Sequence, residues 1–288
     1  MSGKLYIVAT PIGNLGDMTN RAVETLREAD IIAAEDTKNS MKLLTKFEIK
    51  TKLVSNHKFN ETSSVDYFIR ELLDGKNIAV ISDAGTPCIS DPGNILVKRA
   101  VENAITVEAV PGACAAVAAV SISGFDIKSF VFEGFFPREN AGAKKITQKL
   151  KNNPGAYIFY ESPRRIIKTL EILAEHLPDC DICLCNDLTK KFERIYRGSP
   201  DKILSELRDN PSAEKGEYTV VIDVPDVGRD DSGAPSQSTE AMIVDVMVKQ
   251  KCTVKDAVKY IAANQDKYNL GKNEVYAASL NLKNLFNV

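Results

Sequence analysis

The segment ISDAGTPCISDPG, residues 81–93, decides the predicted fold of this chain. It follows the apolar run 78–81 and contains two glycines, two prolines and several Asp and Ser residues. Such a loop can approach a ligand closely, because glycine has no Cβ atom. An ordinary surface turn can have the same composition. Its position after a buried strand favours a binding loop, because open α/β sheets bind ligands beyond the carboxyl ends of their strands.

Length and composition indicate a globular protein with more than one domain. The 288 residues predict two α/β domains and a small third unit. Hydrophobic residues make up 44% and charged residues 26%, and no apolar run is long enough for a membrane span. Neither a signal peptide nor a membrane segment is predicted, so we expect a cytoplasmic protein. The formal net charge of -2 argues against a protein that coats nucleic acid through bulk charge.

Two adjacent carboxylates follow the second predicted strand. Residues 5–9 form the first strand and residues 31–34 the second, which ends at Glu35 and Asp36. Asp36 can cap the next helix, and either carboxylate can take part in chemistry at the strand end. Both interpretations stay open from the residues alone.

The segment PGACAAVAAVSISG, residues 111–124, follows the last strand of the first domain. Its small residues would let a helix N-terminus at Gly112 approach a negatively charged group. The same composition suits a tightly packed, Ala-rich core helix.

A second α/β domain is predicted from residue 124, where the sequence becomes aromatic. Arg164 and Arg165 lie at a strand-to-helix junction, and Lys190 and Lys191 follow a later strand. The guanidinium groups of arginine and the ammonium groups of lysine bind phosphate oxygens, so these residues are candidates for RNA contacts. Phe192 and Tyr196 interleave with the basic residues, which is a modest RNA signal. Weak surface salt bridges are the alternative.

Four residues in one short stretch are candidate zinc ligands: His176, Cys180, Cys183 and Cys185. Structural zinc sites usually pair two separated knuckles, so we predict no metal here. Cys183 and Cys185 should lie on one face of a strand as small apolar side chains.

The last part of the chain is predicted to be separate. Residues 225–239 have the Pro, Gly, Ser and Asp content of a linker. Residues 240–288 predict short helices that resemble a helix-turn-helix, which can contact nucleic acid or a neighbouring domain.

Seven ordered segments together resemble one family: residues 5–44, ISDAGTPCISDPG, VEAVPGACAAVAAVSISG, FEGFFPR, FYESPRR, LTKKFERIYRG and KGEYTVVI. This family is the small-subunit ribosomal RNA methyltransferases of the tetrapyrrole methylase superfamily. The resemblance covers residues 4–224, and the C-terminal module is similar to the one this family carries.

The resemblance implies two unequal α/β domains, residues 1–123 and 124–224, with the cofactor cleft between them. A linker at 225–239 and a helical module at 240–288 follow. The implied reaction is methyl transfer from S-adenosylmethionine to the ribose 2′-hydroxyl of a cytidine in the decoding region of 16S ribosomal RNA. The implied partners are the small ribosomal subunit and a second copy of the chain.

The resemblance also implies three cofactor loops. Their residues are Thr10 and Pro11 in the first loop, Asp83, Ala84, Gly85 and Thr86 in the second, and Pro111, Gly112 and Ala113 in the third.

The proton acceptor is not fixed by any spacing. The candidates are Glu35, Asp36, His57 and Asp83, and our hypothesis places Glu35 or Asp36 at the ribose. Arg164, Lys190 and Lys191 would then hold RNA phosphates. A methyltransferase acting on a tetrapyrrole precursor and a non-catalytic, cofactor-sensing RNA-binding module are the alternatives.

Overall fold

The computed structural model describes residues 2–56, 61–226, 238–264, 268 and 270–286, without the side chains of residues 61–63 and 283–286. It contains two compact units, Met1–Pro225 and Asp226–Val288. Among the described helices, none combines the length and the apolarity needed to cross a bilayer.

A parallel sheet forms the first half of the larger unit. Its strands are β1 Leu5–Val8, β2 Ile31–Ala34, β3 Lys52–Ser55, β4 Ile78–Ile81 and β5 Val107–Val110. They lie in the order β3-β2-β4-β1-β5, and every pair is parallel. Strand and helix alternate along the chain, as predicted, because parallel neighbours need crossover connections.

Four described helices cover both faces of this sheet: α1 Asn20–Glu28, α2 Thr37–Lys46, α3 Glu61–Leu73 and α4 Asn94–Glu102. A short 3₁₀ turn at Leu15–Asp17 precedes α1, and α5 Ala115–Ser121 follows β5. Within β2, Ile31 and Ala33 pack under α3 and α4, whereas Ile32 and Ala34 pack under α1 and α2. Successive side chains of a strand point to opposite faces, so a strand buried on both faces reads as a continuous apolar run.

A mixed sheet forms the second half of the larger unit. Its strands are β6 Phe130–Phe135, β7 Gly155–Glu161, β8 Asp181–Asn186, β9 Arg194–Gly198 and β10 Tyr218–Val224. They lie in the order β6-β7-β10-β8-β9, and only the pair β6 and β7 is parallel among these described strands. The helices α6 Asn140–Asn152, α7 Ile166–His176 and α8 Pro200–Arg208 contribute to the core on one face.

The helix α5 joins the two halves. Its Ala119 packs against Cys183, Cys185 and Val221 of the second sheet. Arg197 of β9 donates hydrogen bonds to the carbonyls of Ile122 and Ser123 just after α5, at 2.6 and 3.2 Å. The second sheet is therefore covered on its other face by a helix of the first half.

The prediction that Cys183 and Cys185 share one face of a strand is confirmed. Cys183 and Cys185 lie on one face of β8 with their Sγ atoms 3.9 Å apart, and both are buried. A hydrogen bond between the thiols lowers the pKa of Cys183 and raises that of Cys185. Within the described part of the chain, no group of His, Cys, Asp or Glu side chains is arranged to hold a metal.

The smaller unit is helical. Its helices are α9 Thr239–Gln250, α10 Val254–Ala263 and α11 Lys272–Phe286, and the side chain of Thr253 caps α10. Ile243, Ile261 and Val275 bring the three helices together in one core. Residues 227–237 lie outside the described residues, so the linker at 225–239 stays a prediction. The division at residues 123 and 124 also stays a prediction.

Candidate active site

Four loops meet at the carboxyl edge of the first sheet. Ala34 of β2 lies opposite Ile81 of β4, and Val8 of β1 lies opposite Val110 of β5. Because these parallel strands end in register, the residues that follow them share one edge of the sheet. This edge is where open α/β sheets bind ligands.

The loop after β4 is tied to the loop after β1. The Thr10 amide donates to the Gly85 carbonyl at 2.8 Å, and the Gly85 amide donates to the Thr10 carbonyl at 3.0 Å. The Thr10 hydroxyl also lies 3.3 Å from the Ser82 carbonyl. These bonds fix the backbone of residues 82–85 over the end of β1.

A third loop is attached through Thr86 and Gly85. The Thr86 hydroxyl donates to the Ala113 carbonyl at 3.1 Å. Gly85 has a φ of +80°, and a Cβ there would lie 3.2 Å from Cγ2 of Ile12 and 3.6 Å from the Ala113 carbonyl. Glycine therefore satisfies both the backbone conformation and the close approach of three loops.

A cavity of about 560 Å³ opens between these loops and the second sheet. Residues from both sheets line it: Ile12, Glu35, Asp83, Ala84, Gly85, Thr86, Ile89, Ser90, Asp91, Cys114, Ala115, Phe135, Tyr160, Glu161, Ser162, Pro163, Leu188, Gly216, Glu217, Tyr218 and Thr219. Its size is that of a site for a small molecule or cofactor.

The predicted cofactor residues divide into two groups around this cavity. The second predicted loop lines it with all its members: Asp83, Ala84, Gly85 and Thr86. From the first loop, Thr10 and Pro11 are buried and support the wall, and Ile12 is the residue that reaches the cavity.

The third predicted loop contacts the cavity slightly further along the chain. Pro111 and Gly112 are exposed and absent from the lining, Ala113 supports Thr86, and Cys114 begins the wall. A Cβ at Gly112 would lie 3.0 Å from the Ala9 side chain, and α5 starts only at Ala115. Gly112 therefore serves close packing on β1, and its amide does not belong to the helix N-terminus.

The two adjacent carboxylates have different positions. Asp36 caps α2, because its Oδ1 accepts the amides of Lys38 and Asn39 at 2.7 and 3.3 Å. Glu35 lines the cavity, and Asp36 does not belong to the lining. The capping interpretation of Asp36 is confirmed, and Glu35 is the member of this pair that lines the cavity, as the candidate Asp83 also does. The alternative candidate His57 lies outside the described residues.

The surroundings of Glu35 raise its pKa. Partial burial is the largest cause, followed by the negative charges of Asp91, Asp83 and Asp36, while a backbone hydrogen bond from Asp83 opposes them. Burial also raises the pKa of Asp91, with Asp83 adding to the shift. A carboxylate of raised pKa is a stronger base than an ordinary glutamate.

The charge of the cavity wall suits a cationic ligand. Its carboxylates are Glu35, Asp83, Asp91, Glu161 and Glu217, and no Lys, Arg or His is among the lining residues that the structure describes. The lining also contains Phe135, which is 59% exposed and packs edge to face on Tyr160, with ring centroids 5.8 Å apart. The wall therefore combines acidic and aromatic side chains.

Comparison with known proteins identifies the family to which this chain belongs. The family model described as "Tetrapyrrole (Corrin/Porphyrin) Methylases" matches residues 4–203. The chain belongs to the tetrapyrrole methylase family. As such it is a methyltransferase, and its methyl donor is S-adenosylmethionine.

Two relatives of this tetrapyrrole methylase carry the name ribosomal RNA small subunit methyltransferase I. The protein of Halalkalibacterium halodurans is 43% identical over 77% of this chain and 76% of its own. The protein of Bacillus subtilis (strain 168) is 40% identical over 96% of this chain and 94% of its own. The cobalamin biosynthetic enzyme cobalt precorrin-4 methyltransferase has the same fold, with a TM-score of 0.57 at 16% identity over 76% of this chain and 94% of its own.

The cavity of this tetrapyrrole methylase fits S-adenosylmethionine. The carboxylates complement its sulfonium and ammonium charges, and the aromatic wall of Phe135 and Tyr160 suits a flat adenine ring. Burial raises the pKa of Tyr160 to about 12, so this phenol stays neutral and is not a base at neutral pH.

Several cavity residues were not predicted from the sequence. Phe135 and Tyr160 are examples, and each lies at or next to the end of its strand. Their approach depends on how the second sheet sits against the first, which no local pattern encodes.

The two arginines of the predicted RNA site have different surroundings. Arg165 donates to the carbonyls of Phe136 and Pro137 at 2.8 and 3.0 Å and pairs with Glu161 at 3.2 Å. The Glu161 side chain is 0% exposed. Arg164 is exposed and forms no ion pair with any residue the structure describes. Arg165 therefore supports the fold, and Arg164 is the arginine open to a partner.

The two lysines of the predicted RNA site also differ in their surroundings. Lys190 pairs with Asp187 and Glu217, each at 2.7 Å. Burial lowers its pKa, but these two hydrogen bonds outweigh it and leave the pKa raised. Lys191 is exposed, with its Nζ 5.5 Å from the centroid of the Phe192 ring.

Replacing Arg165 by Ala is expected to lower the free energy of unfolding by about 1–3 kcal/mol, because the buried Glu161 loses its cation. Replacing the neighbouring Arg164 by Ala should change it by less than about 0.5 kcal/mol. Urea denaturation of both variants measures the difference. Equal losses of stability would contradict the structural role given to Arg165.

Proposed function

We propose that this tetrapyrrole methylase transfers a methyl group from S-adenosylmethionine to the ribose 2′-hydroxyl of a cytidine in the decoding region of 16S ribosomal RNA, within the small ribosomal subunit. The observation that carries this proposal is the 40% identity to a small-subunit ribosomal RNA methyltransferase over 96% of the chain. The exposed Arg164 and Lys191 beside the second sheet support an RNA acceptor.

Bound S-adenosylmethionine supplies an electrophilic methyl group on a sulfonium. In the proposed reaction the ribose oxygen forms a bond to this methyl group as the sulfur–methyl bond breaks, leaving S-adenosylhomocysteine. The hydroxyl proton goes to the Glu35 carboxylate. General-base assistance of this kind is typically worth about 10²- to 10⁴-fold in rate.

The loops contribute to the proposed reaction by alignment. Ile12, Gly85 and Cys114 come from three loops that backbone and hydroxyl hydrogen bonds hold together. A cofactor held by such loops has little freedom to move, and fixed geometry is a major source of acceleration.

The acceptor class is tested by incubating the protein with labelled S-adenosylmethionine and either small ribosomal subunits or a tetrapyrrole precursor. We expect label on the subunit RNA. Label on the tetrapyrrole alone would contradict the proposed acceptor, and cofactor binding without transfer would favour the non-catalytic RNA-binding module.

The homodimer and the cytoplasmic location are part of the proposal; the first rests on the family resemblance and the second on the ribosomal RNA acceptor. Sedimentation of the purified protein tests the first, with a particle of twice the chain mass expected. Fractionation of cells tests the second.

Replacing Asp91 by Asn is expected to move the acidic limb of the pH–rate profile to lower pH. Glu35 must be ionised to accept a proton, so the rate falls as the pH falls through its raised pKa. Removing the Asp91 charge favours ionised Glu35 and brings this pKa down. Single-turnover methylation across the acidic range measures the limb. A limb that stays in place or moves to higher pH would contradict Glu35 as the titrating base.

A further inference from the structure

Phe192 lies in the loop 187–193, between β8 and β9, and is 73% exposed, the largest exposed fraction among the large apolar side chains that the structure describes. A single exposed apolar side chain is common on protein surfaces, so exposure alone does not mark a binding site. The surroundings of Phe192 distinguish it.

Internal bonds hold the loop in one conformation. The Lys190 amide donates to the Asp187 carbonyl at 3.0 Å, and the Glu193 amide donates to the Lys190 carbonyl at 3.1 Å. The Lys190 ammonium then ties the loop to Glu217. The aromatic ring is therefore presented on a fixed backbone, which reduces the entropy lost on binding.

The loop lies beside the cavity. Leu188, at its start, lines the cavity, as does Glu217, to which Lys190 is bonded. Gly13, next to the cavity residue Ile12, lies so close to Lys190 and to Leu188 that a Cβ there would contact both. A ligand that reaches the cavity from this side passes the loop.

The chemistry around the ring favours a nucleic acid. Lys191 lies near the Phe192 ring, and Arg194 at the start of β9 is exposed. Exposed cations beside an exposed aromatic ring match single-stranded RNA, whose phosphates bind cations and whose unpaired bases stack on aromatic side chains.

We propose that Phe192 is a stacking platform for an unpaired base of the RNA substrate that flanks the target nucleotide. This inference rests on the proposed function, because it needs an RNA acceptor at the cavity. Phe192 acts as a positioning residue: its ring holds a neighbouring base so that the target ribose enters the cavity.

The test measures KM and kcat for small ribosomal subunits with Phe192→Ala, Phe192→Leu and Phe192→Tyr. We expect KM to rise about 5- to 100-fold in the Ala and Leu variants, because each lacks a ring on which a base can stack. The Tyr variant should stay near wild type, and KM for S-adenosylmethionine should be unchanged in all three. Phe130→Ala, at a 43% exposed position of β6, is the matched control and should leave KM unchanged.

Each outcome decides the inference. A Leu variant as good as wild type would show a plain apolar contact, such as one with a ribosomal protein, and would overturn stacking. An unchanged KM in the Ala variant would overturn any role of the ring in substrate binding. A wild-type protein that labels no subunit RNA would instead overturn the proposed function, and this inference with it.

Discussion

Replacing Glu35 by Gln is expected to lower the rate of methyl transfer about 10²- to 10⁴-fold while S-adenosylmethionine still binds. Gln keeps the size of the side chain but cannot accept the hydroxyl proton. Single-turnover transfer from labelled cofactor measures the rate, and calorimetric titration measures cofactor affinity. The large effect is expected because Glu35 combines a position in the cavity wall with a raised pKa.

The neighbouring carboxylate provides the matched control. Asp36→Ala removes the cap of α2 and should cost about 1 kcal/mol of stability, with methyl transfer near wild type at a temperature where the variant is folded. If Glu35→Gln transfers methyl groups at the wild-type rate, Glu35 is not the base. A larger loss of rate from Asp36→Ala than from Glu35→Gln would reverse the assignment.

Replacing Gly85 by Ala is expected to weaken S-adenosylmethionine binding by about 10-fold or more, which corresponds to about 1.4 kcal/mol. The φ of +80° strains any residue with a Cβ, and the added atom would lie 3.2 Å from Cγ2 of Ile12. The loop then has to move where it forms the cavity wall. Calorimetric titration of the cofactor measures the loss.

Gly124→Ala is the control that separates the loss of cofactor affinity in Gly85→Ala from the effect of backbone strain alone. Gly124 has a φ of +83°, almost equal to that of Gly85, and a Cβ there would meet nothing within 4 Å. Gly124→Ala should lose a similar amount of stability from the unfavourable backbone conformation and keep wild-type cofactor affinity. Equal affinities in the two variants would show that the contacts of Gly85 do not shape the site.

The first half of the fold was predictable because its signals are local. Strands buried on both faces read as continuous apolar runs, and the Gly and Pro residues of 81–93 mark where β4 ends. Parallel strands place their carboxyl ends at one edge, so the loop 81–93 and Glu35 were expected at this edge from the residues, whereas the role of Thr10 was implied by the family resemblance.

The choice between chemically equivalent side chains was not predictable. Glu35 and Asp36 are adjacent in sequence, yet only the first lines the cavity, because the second caps α2. Arg165 differs from Arg164 through its contacts with Phe136, just after β6, and with Glu161, at the end of β7. Such differences depend on contacts between distant parts of the chain.

The strand order of the second sheet was also not predictable from the sequence. β10 is the last strand in the chain order, but it lies between β7 and β8. Its place in the chain order does not give its neighbours in the sheet. The place of Tyr218 in the cavity wall follows from that insertion.

The measurement that tests the central claim most directly identifies the methylated nucleoside. Small ribosomal subunits that lack the modification are incubated with the protein and labelled S-adenosylmethionine, and the 16S RNA is digested to nucleosides and separated by chromatography. The account predicts label in 2′-O-methylcytidine, at a rate that falls about 10²- to 10⁴-fold with Glu35→Gln. Label in a base-methylated nucleoside, or none in the RNA, would contradict it.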